Sequence, residues 1–419
     1  MSKNALSEGV GLLLACLVVI LVFGCSENPS GAKKEIPDEP IVDLSSVEKQ
    51  IVESDNKFGL KLFKQIVKEE KDKNVFISPL SVAMALGMTY NGASGETQKA
   101  MQQTLELNGL SVEEVNLSYE HLIDMLTSLD PKVRFQIANS IWYRLGIPFK
   151  SEFIDLCKKY FTALVTGLDF EDAQATKTIN AWVDENTNGK IKEIVDSPIK
   201  PAMVMFLINA IYFKGTWTYQ FDEKDTRDDL FNLPDGTNKP CKMMKQEGEF
   251  RYLANSDFQA IDLPYGDGDF SMTVLLPQPQ RDIDSLIAEF SQENWNKWIK
   301  GFSKQELTLQ LPRFTLEYEI KLNDILTGLG MGIAFDAAQA DLTKMYEGPE
   351  RVYIDQVKHK TFVEVNEEGT EAAAVTSVGI AITSVGLWTR VDRPFVFAIR
   401  ENQSQTILFI GKIVDPGYK

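Results

Sequence analysis

Apolar residues recur at helical spacing at Val47, Ile51, Phe58, Leu62, Phe63 and Ile66, which predicts an amphipathic helix opening the folded body. Within residues 74–88, Ser78 stands directly before Pro79, an N-cap followed by proline at the first helical position. The apolar run after it predicts a capped, buried helix. Residues 91–97 carry two glycines and a serine, the composition of a turn and a new cap. The period then changes. Residues 135–143 alternate as a strand does, and residues 203–213 are almost wholly apolar, as in a strand covered on both faces. Asn209 interrupts that run, and a polar group there requires a buried partner. The chain closes on two apolar segments, 395–400 and 406–414, which read as a hairpin.

One stretch fits neither a plain helix nor a plain loop. No charge and no proline occurs from Ala372 to Thr389, and one alternate set reads Thr370, Ala372, Ala374, Thr376, Val378. All five are small or β-branched, so the segment can lie in the middle of a sheet without an unpaired charge or a missing backbone donor. Its glycines and small polar residues equally suit an exposed loop. The Thr, Ser and Gly content argues against a membrane-spanning helix.

The chain has 419 residues, 44% hydrophobic and 25% charged, enough for a sizeable core. Its formal net charge of −17 argues against nucleic-acid or other polyanion partners. With only His121 and His359, metal centres and Ser-His hydrolases have little to work with, and no Gly-x-Ser-x-Gly elbow is present. No metal and no cofactor is expected. Cys157 and Cys241 lack metal-ligand spacing and read as free thiols, although a disulfide between them stays open at this stage.

Residues 10–23 have the length and apolarity of a secretion-signal core. Val22-Phe23-Gly24-Cys25 resembles a bacterial lipoprotein signal, which implies cleavage after residue 24, lipidation of Cys25 and attachment to a membrane. An uncleaved signal anchor is the alternative. Residues 25–46 have linker composition, with prolines at 29, 37 and 40, and suit a tether. The expected organisation is a signal peptide over 1–24, a linker over 25–46 and one composite domain over 47–419. It implies an exported protein, held at the cell envelope or surface or released.

The segment Glu367-Glu368-Gly369-Thr370-Glu371-Ala372-Ala373-Ala374, followed by Asp392-Arg393-Pro394-Phe395, resembles the reactive-loop hinge and the strand after the loop in serpins. Further similarities are Asn209-Ala210-Ile211-Tyr212-Phe213-Lys214-Gly215-Thr216-Trp217, Thr178 to Val183 with Thr187 to Ile191, Asp262 to Tyr265, Ser271 to Leu276, Leu307 to Phe314 and Leu329 to Asp336. Together they cover about residues 47–419. The resemblance implies an α+β fold of three β-sheets with about eight or nine helices, an exposed loop and a metastable native state. It places Ser78, Ser81, Asn209 and His359 in the shutter that governs sheet opening, with Asn209 bonded to His359. It places Trp217 at the breach where the loop enters, and pairs Arg313 with Glu367 there, as an exposed pair worth about 0–1 kcal/mol.

The implied function is protease inhibition by a suicide substrate, with the target protease as covalent acyl-enzyme partner and a monomeric inhibitor. The family trait of inserting the cleaved loop into its own sheet demands small hinge side chains. Thr370, Ala372, Ala373 and Ala374 meet that demand. The seventeen residues that the family places from the hinge glutamate to the cut run here from Glu367 to Thr383, and Pro394 lies eleven residues further on. Both counts put the reactive bond near Thr383–Ser384, with Ile382 or a neighbouring residue as the alternative. Thr383, Ile382 and Ile380 suit elastase-like or subtilisin-like serine proteases, and some family members also take papain-like cysteine proteases. A non-inhibitory surface-binding lipoprotein on the same body is the rival reading.

Overall fold

The computed structural model describes residues 44–349, 351–370 and 387–417. The elements begin with α1 (Ser46–Glu69), β1 (Val75–Ile77), α2 (Pro79–Gly92), α3 (Gly95–Thr104), α4 (Val112–Ser128), β2 (Val133–Arg144), α5 (Ser151–Phe161) and β3 (Leu164–Leu168). Next come α6 (Ala173–Asn186), β4 (Met205–Thr216), β5 (Arg227–Asn232), β6 (Asn238–Ala254), β7 (Phe258–Tyr265), β8 (Phe270–Pro277), α7 (Ile283–Ala288) and α8 (Gln292–Lys300). The last are β9 (Ser303–Pro312), β10 (Phe314–Lys321), α9 (Asn323–Leu326), β11 (Lys358–Val365), β12 (Gly369–Thr370), β13 (Leu387–Arg390), β14 (Phe395–Glu401) and β15 (Ile407–Ile413).

Local chemistry accounts for the first helices. Ser45 caps α1 in a reciprocal box, its hydroxyl taking the Glu48 N–H while Glu48 takes the Ser45 N–H. Leu44, three residues before Val47, is buried just ahead of it. Ile51, Phe58, Leu62, Phe63 and Ile66 line the buried face of α1. α2 starts at Pro79 with Ser78 as its cap, and all its residues but Ala85 are buried.

The strands form two hydrogen-bonded sheets among the described residues, in an α+β fold with nine α-helices. One has the order β10-β11-β12-β4-β2-β3. The other runs β1-β15-β14-β8-β7-β6-β9-β13, with β5 also on β6. The 17-residue β6 pairs β5 near its start, β9 through Met243 to Tyr252 and β7 at its end. Two of the three expected sheets therefore share one strand. The main core lies between the two sheets and under α1 and α2, with Phe76 stacked against Phe397 and Phe409. A smaller apolar cluster of Ile179, Val183, Val195 and Ile208 packs α6 on the far face of the six-stranded sheet. β4 is less covered than its apolar run predicts. Leu207, Asn209 and Ile211 are only half-buried, whereas Ile208, Ala210 and Tyr212 on the α6 side are buried.

Candidate functional site

Among the described residues, β12 joins β4 and β11 at the top of an unpaired interval in the six-stranded sheet. It is antiparallel to both neighbours, with Thr370 opposite Val365 of β11 and opposite Gly215 of β4. β4 and β11 therefore run parallel to each other. Below Thr370 no other described strand stands between them, and they do not pair with one another. A cavity of about 450 Å³ lies at the lower end, lined by Ser81 and Leu86 of α2, Met205 and Asn209 of β4, His359 of β11, and Ile354.

Gly369 makes the close approach at the top possible. Its φ is +155°, and a Cβ there would come within 2.0 Å of the Gly215 carbonyl oxygen. Thr370 is buried, and its hydroxyl lies 2.6 Å from that of Tyr265. Tyr265 in turn stacks on Trp217, with ring centroids 4.4 Å apart. The Trp217 indole N–H donates to the Asn366 carbonyl at 2.9 Å, and its backbone N–H donates to Glu368 O at 2.8 Å. Trp217 thus clamps the turn at Asn366 and Glu368 that leads into β12.

Arg313 donates to Glu367 through Nε at 2.6 Å and also through Nη2. Thr226 donates its hydroxyl to the same carboxylate oxygen. The expectation of an exposed pair needs correction, because the Glu367 side chain is only 2% exposed. Phe221 N–H binds the Glu367 carbonyl and pulls that residue inward. A buried carboxylate must keep its partners, so this pair weighs more than a surface one.

Lower down, the Ser78 hydroxyl donates to Leu408 O at 2.7 Å and accepts the Ser81 N–H at 3.2 Å. The Ser78 N–H donates to Nε2 of His359 at 3.0 Å. Burial pushes the His359 pKa down to about 4, so the ring is neutral and acts as acceptor. The expected bond between Asn209 and His359 is not formed. Asn139 stands directly opposite Asn209 on β2, so the Asn209 amide donates to Asn139 Oδ1 at 2.7 Å, and Asn139 donates on to Phe161 O. His359 lies across the unpaired interval on β11. Asn209 Oδ1 is buried without a partner among the described residues.

Tyr265, Thr226, Asn139 and Asn366 were not singled out from the sequence. Their roles depend on strand neighbours, and only the need of Asn209 for a polar partner hinted at one of them. Cys157 and Cys241 are both free and buried, with burial raising their thiols to about 12 and about 11. Glu371, Ala372, Ala373, Ala374, Thr383 and Ser384 lie outside the described residues, as do Cys25 and residues 1–43.

The family model described as Serpin (serine protease inhibitor) matches residues 53–416. Neuroserpin of Gallus gallus is 36% identical over 402 residues, covering 93% of this chain and 94% of that protein. The native crystal structure of the thermophilic serpin tengpin superposes with a TM-score of 0.80 at 30% identity, covering 91% of this chain and 97% of that one. Human thyroxine-binding globulin, solved with its ligand, gives a TM-score of 0.81 at 27% identity, covering 89% and 100%. With a family match spanning most of the folded body and a relative this similar along nearly its full length, the chain belongs to the serpin family.

Proposed function

We propose that this serpin is an inhibitory suicide substrate for elastase-like or subtilisin-like serine proteases, cut at Thr383–Ser384. The protease serine oxygen attacks the Thr383 carbonyl carbon. The amide to Ser384 breaks, Ser384 leaves as a free amine, and Thr383 stays esterified to the enzyme. The freed hinge then enters the sheet between β4 and β11 and carries the enzyme with it before the ester is hydrolysed.

The observation that carries this reading is the parallel pair β4 and β11, joined at the top by Gly369–Thr370 and unpaired below among the described residues. Continuing the β12 register downwards places Ala372 opposite Phe213 and Val363, Ala374 opposite Ile211, and Thr376 opposite both Asn209 and His359. The small alternate set then faces the core, and the Thr376 hydroxyl arrives beside the unpartnered Asn209 Oδ1. Glu371 falls opposite Lys214 on the outer face. About ten residues of new pairing at roughly 0.5–1.5 kcal/mol per bond, plus apolar burial, release on the order of 10 kcal/mol. The uncut protein must hold that energy back, which makes it metastable.

The test is incubation of the protein lacking residues 1–43 with pancreatic elastase and with subtilisin. Expected is an SDS-stable complex and release of a fragment beginning at Ser384. Clean cleavage without complex, and without a gain in heat stability, would favour the binding-protein reading, which the fold shared with thyroxine-binding globulin keeps in view. Anchoring of the exported monomer through lipidated Cys25 is part of the same proposal. A Cys25→Ser variant is expected to leave the membrane fraction, and its retention there would overturn the anchor.

A further inference from the structure

Among the described residues β13 is the last strand of its sheet, pairing parallel to β9 through Leu387 to Arg390. Leu387 and Trp388 on it are 43% and 50% exposed, the latter an unusual position for a tryptophan on a well-paired strand. The side chain is held in place all the same. Lys245 of β6 sits over the Trp388 ring at 5.6 Å and is itself paired with Glu247 at 2.7 Å. Further along β13, Arg390 is paired with Asp229 at 2.7 Å. The result is a fixed aromatic face rimmed by satisfied charge pairs, the anatomy of an interface hot spot.

We propose that Trp388 is a docking contact for the body of the target protease and sets the rate at which the inhibitor captures it. This rests on the inhibitor reading above. Trp388 is five residues beyond Thr383. Even fully extended, five residues span at most about 17 Å. A globular protease of about 230 residues has a radius of roughly 20 Å. An enzyme seated on the Thr383–Ser384 bond therefore extends over Trp388 on the leaving-group side of its cleft. The chemistry this site fits is an apolar or aromatic patch beside that cleft, since the cations nearby are already paired with carboxylates.

The test compares wild type with Trp388→Ala and Trp388→Phe, using pancreatic elastase and subtilisin. Three quantities are read: the second-order rate constant for covalent complex formation, the number of inhibitor molecules consumed per enzyme trapped, and the melting temperature. A contact to the enzyme body predicts about a tenfold lower rate for Trp388→Ala with at least one enzyme. Recovery to within threefold is expected for Trp388→Phe, with consumption and melting temperature unchanged. A rate within twofold of wild type for both enzymes overturns the proposal and leaves the inhibitor reading intact. The same holds if only the consumption per trapped enzyme rises, because Trp388 would then act on loop insertion. Light scattering that shows a dimer dispersed by Trp388→Ala assigns the face to a second copy and also overturns it. No covalent complex from wild type with either enzyme removes both the inhibitor reading and this one.

Discussion

At the scale of single residues, the bond between Ser78 and His359 turns on the protonation state of the imidazole. Its Nε2 accepts the Ser78 N–H only while the ring is neutral, and burial holds its pKa near 4 against an ordinary 6.5. The unfolded chain binds this proton first as pH falls, so the contribution of a neutral His359 is complete above about pH 6.5. It is lost progressively between pH 6.5 and 4, by up to about 3 kcal/mol. Asp55 works in the opposite direction, because burial raises its pKa to about 7 and the folded state takes up that proton first. The difference between wild type and His359→Gln isolates the histidine. Denaturant melts at pH 7, 5.5 and 4.5 are expected to show wild type losing stability relative to the variant on acidification. A constant difference would mean that His359 does not titrate between the two states. The position of a partner is what sequence could not supply here. The buried polar Asn209 was legible as a residue in need of one, yet the choice of Asn139 over His359 follows from which strand lies next to β4.

At the scale of elements, the two-residue β12 sets the register for everything that could follow it into the sheet. Thr370 already occupies the top, where its hydroxyl meets Tyr265, so a charge placed there disturbs the uncut protein as well as insertion. Thr376 is the cleaner position. In the continued register it lands between Asn209 and His359, where burying an arginine without a partner carries a large desolvation cost. Thr376→Arg is expected to leave cleavage at Thr383–Ser384 fast and to turn most of the protein into cleaved substrate, lowering complex yield at least tenfold on denaturing gels. Undiminished complex would refute insertion to that depth. The flanking elements were readable to differing degrees. Ser78 and Pro79 announced the start of α2 because capping is local chemistry. The half-buried face of β4 was not readable, since an apolar run reports that cover is needed and not which neighbour is missing.

At the scale of the whole molecule, the energy that insertion between β4 and β11 would release is the quantity that makes the proposed trap work, and cleavage is expected to release it. In the elastase experiment the cut protein should melt far above the intact one, because on the order of 10 kcal/mol added to a marginally stable fold moves its midpoint by tens of degrees. The amino-acid sequence alone determined the parts that depend on neighbours along the chain: the cap of α2, the strand periods, the small alternate set from Thr370 to Val378, and through its motifs the serpin family. Tertiary structure alone decided which of those parts meet. It turned the Arg313–Glu367 pair from an exposed one into a buried one, joined two expected sheets through β6, and set Gly369 against Gly215 at the head of the unpaired interval. The physical reason is that burial and hydrogen-bond partnership are properties of strands far apart in the chain, and Glu367 reaches Arg313 and Thr226 only after the sheet has brought all three together.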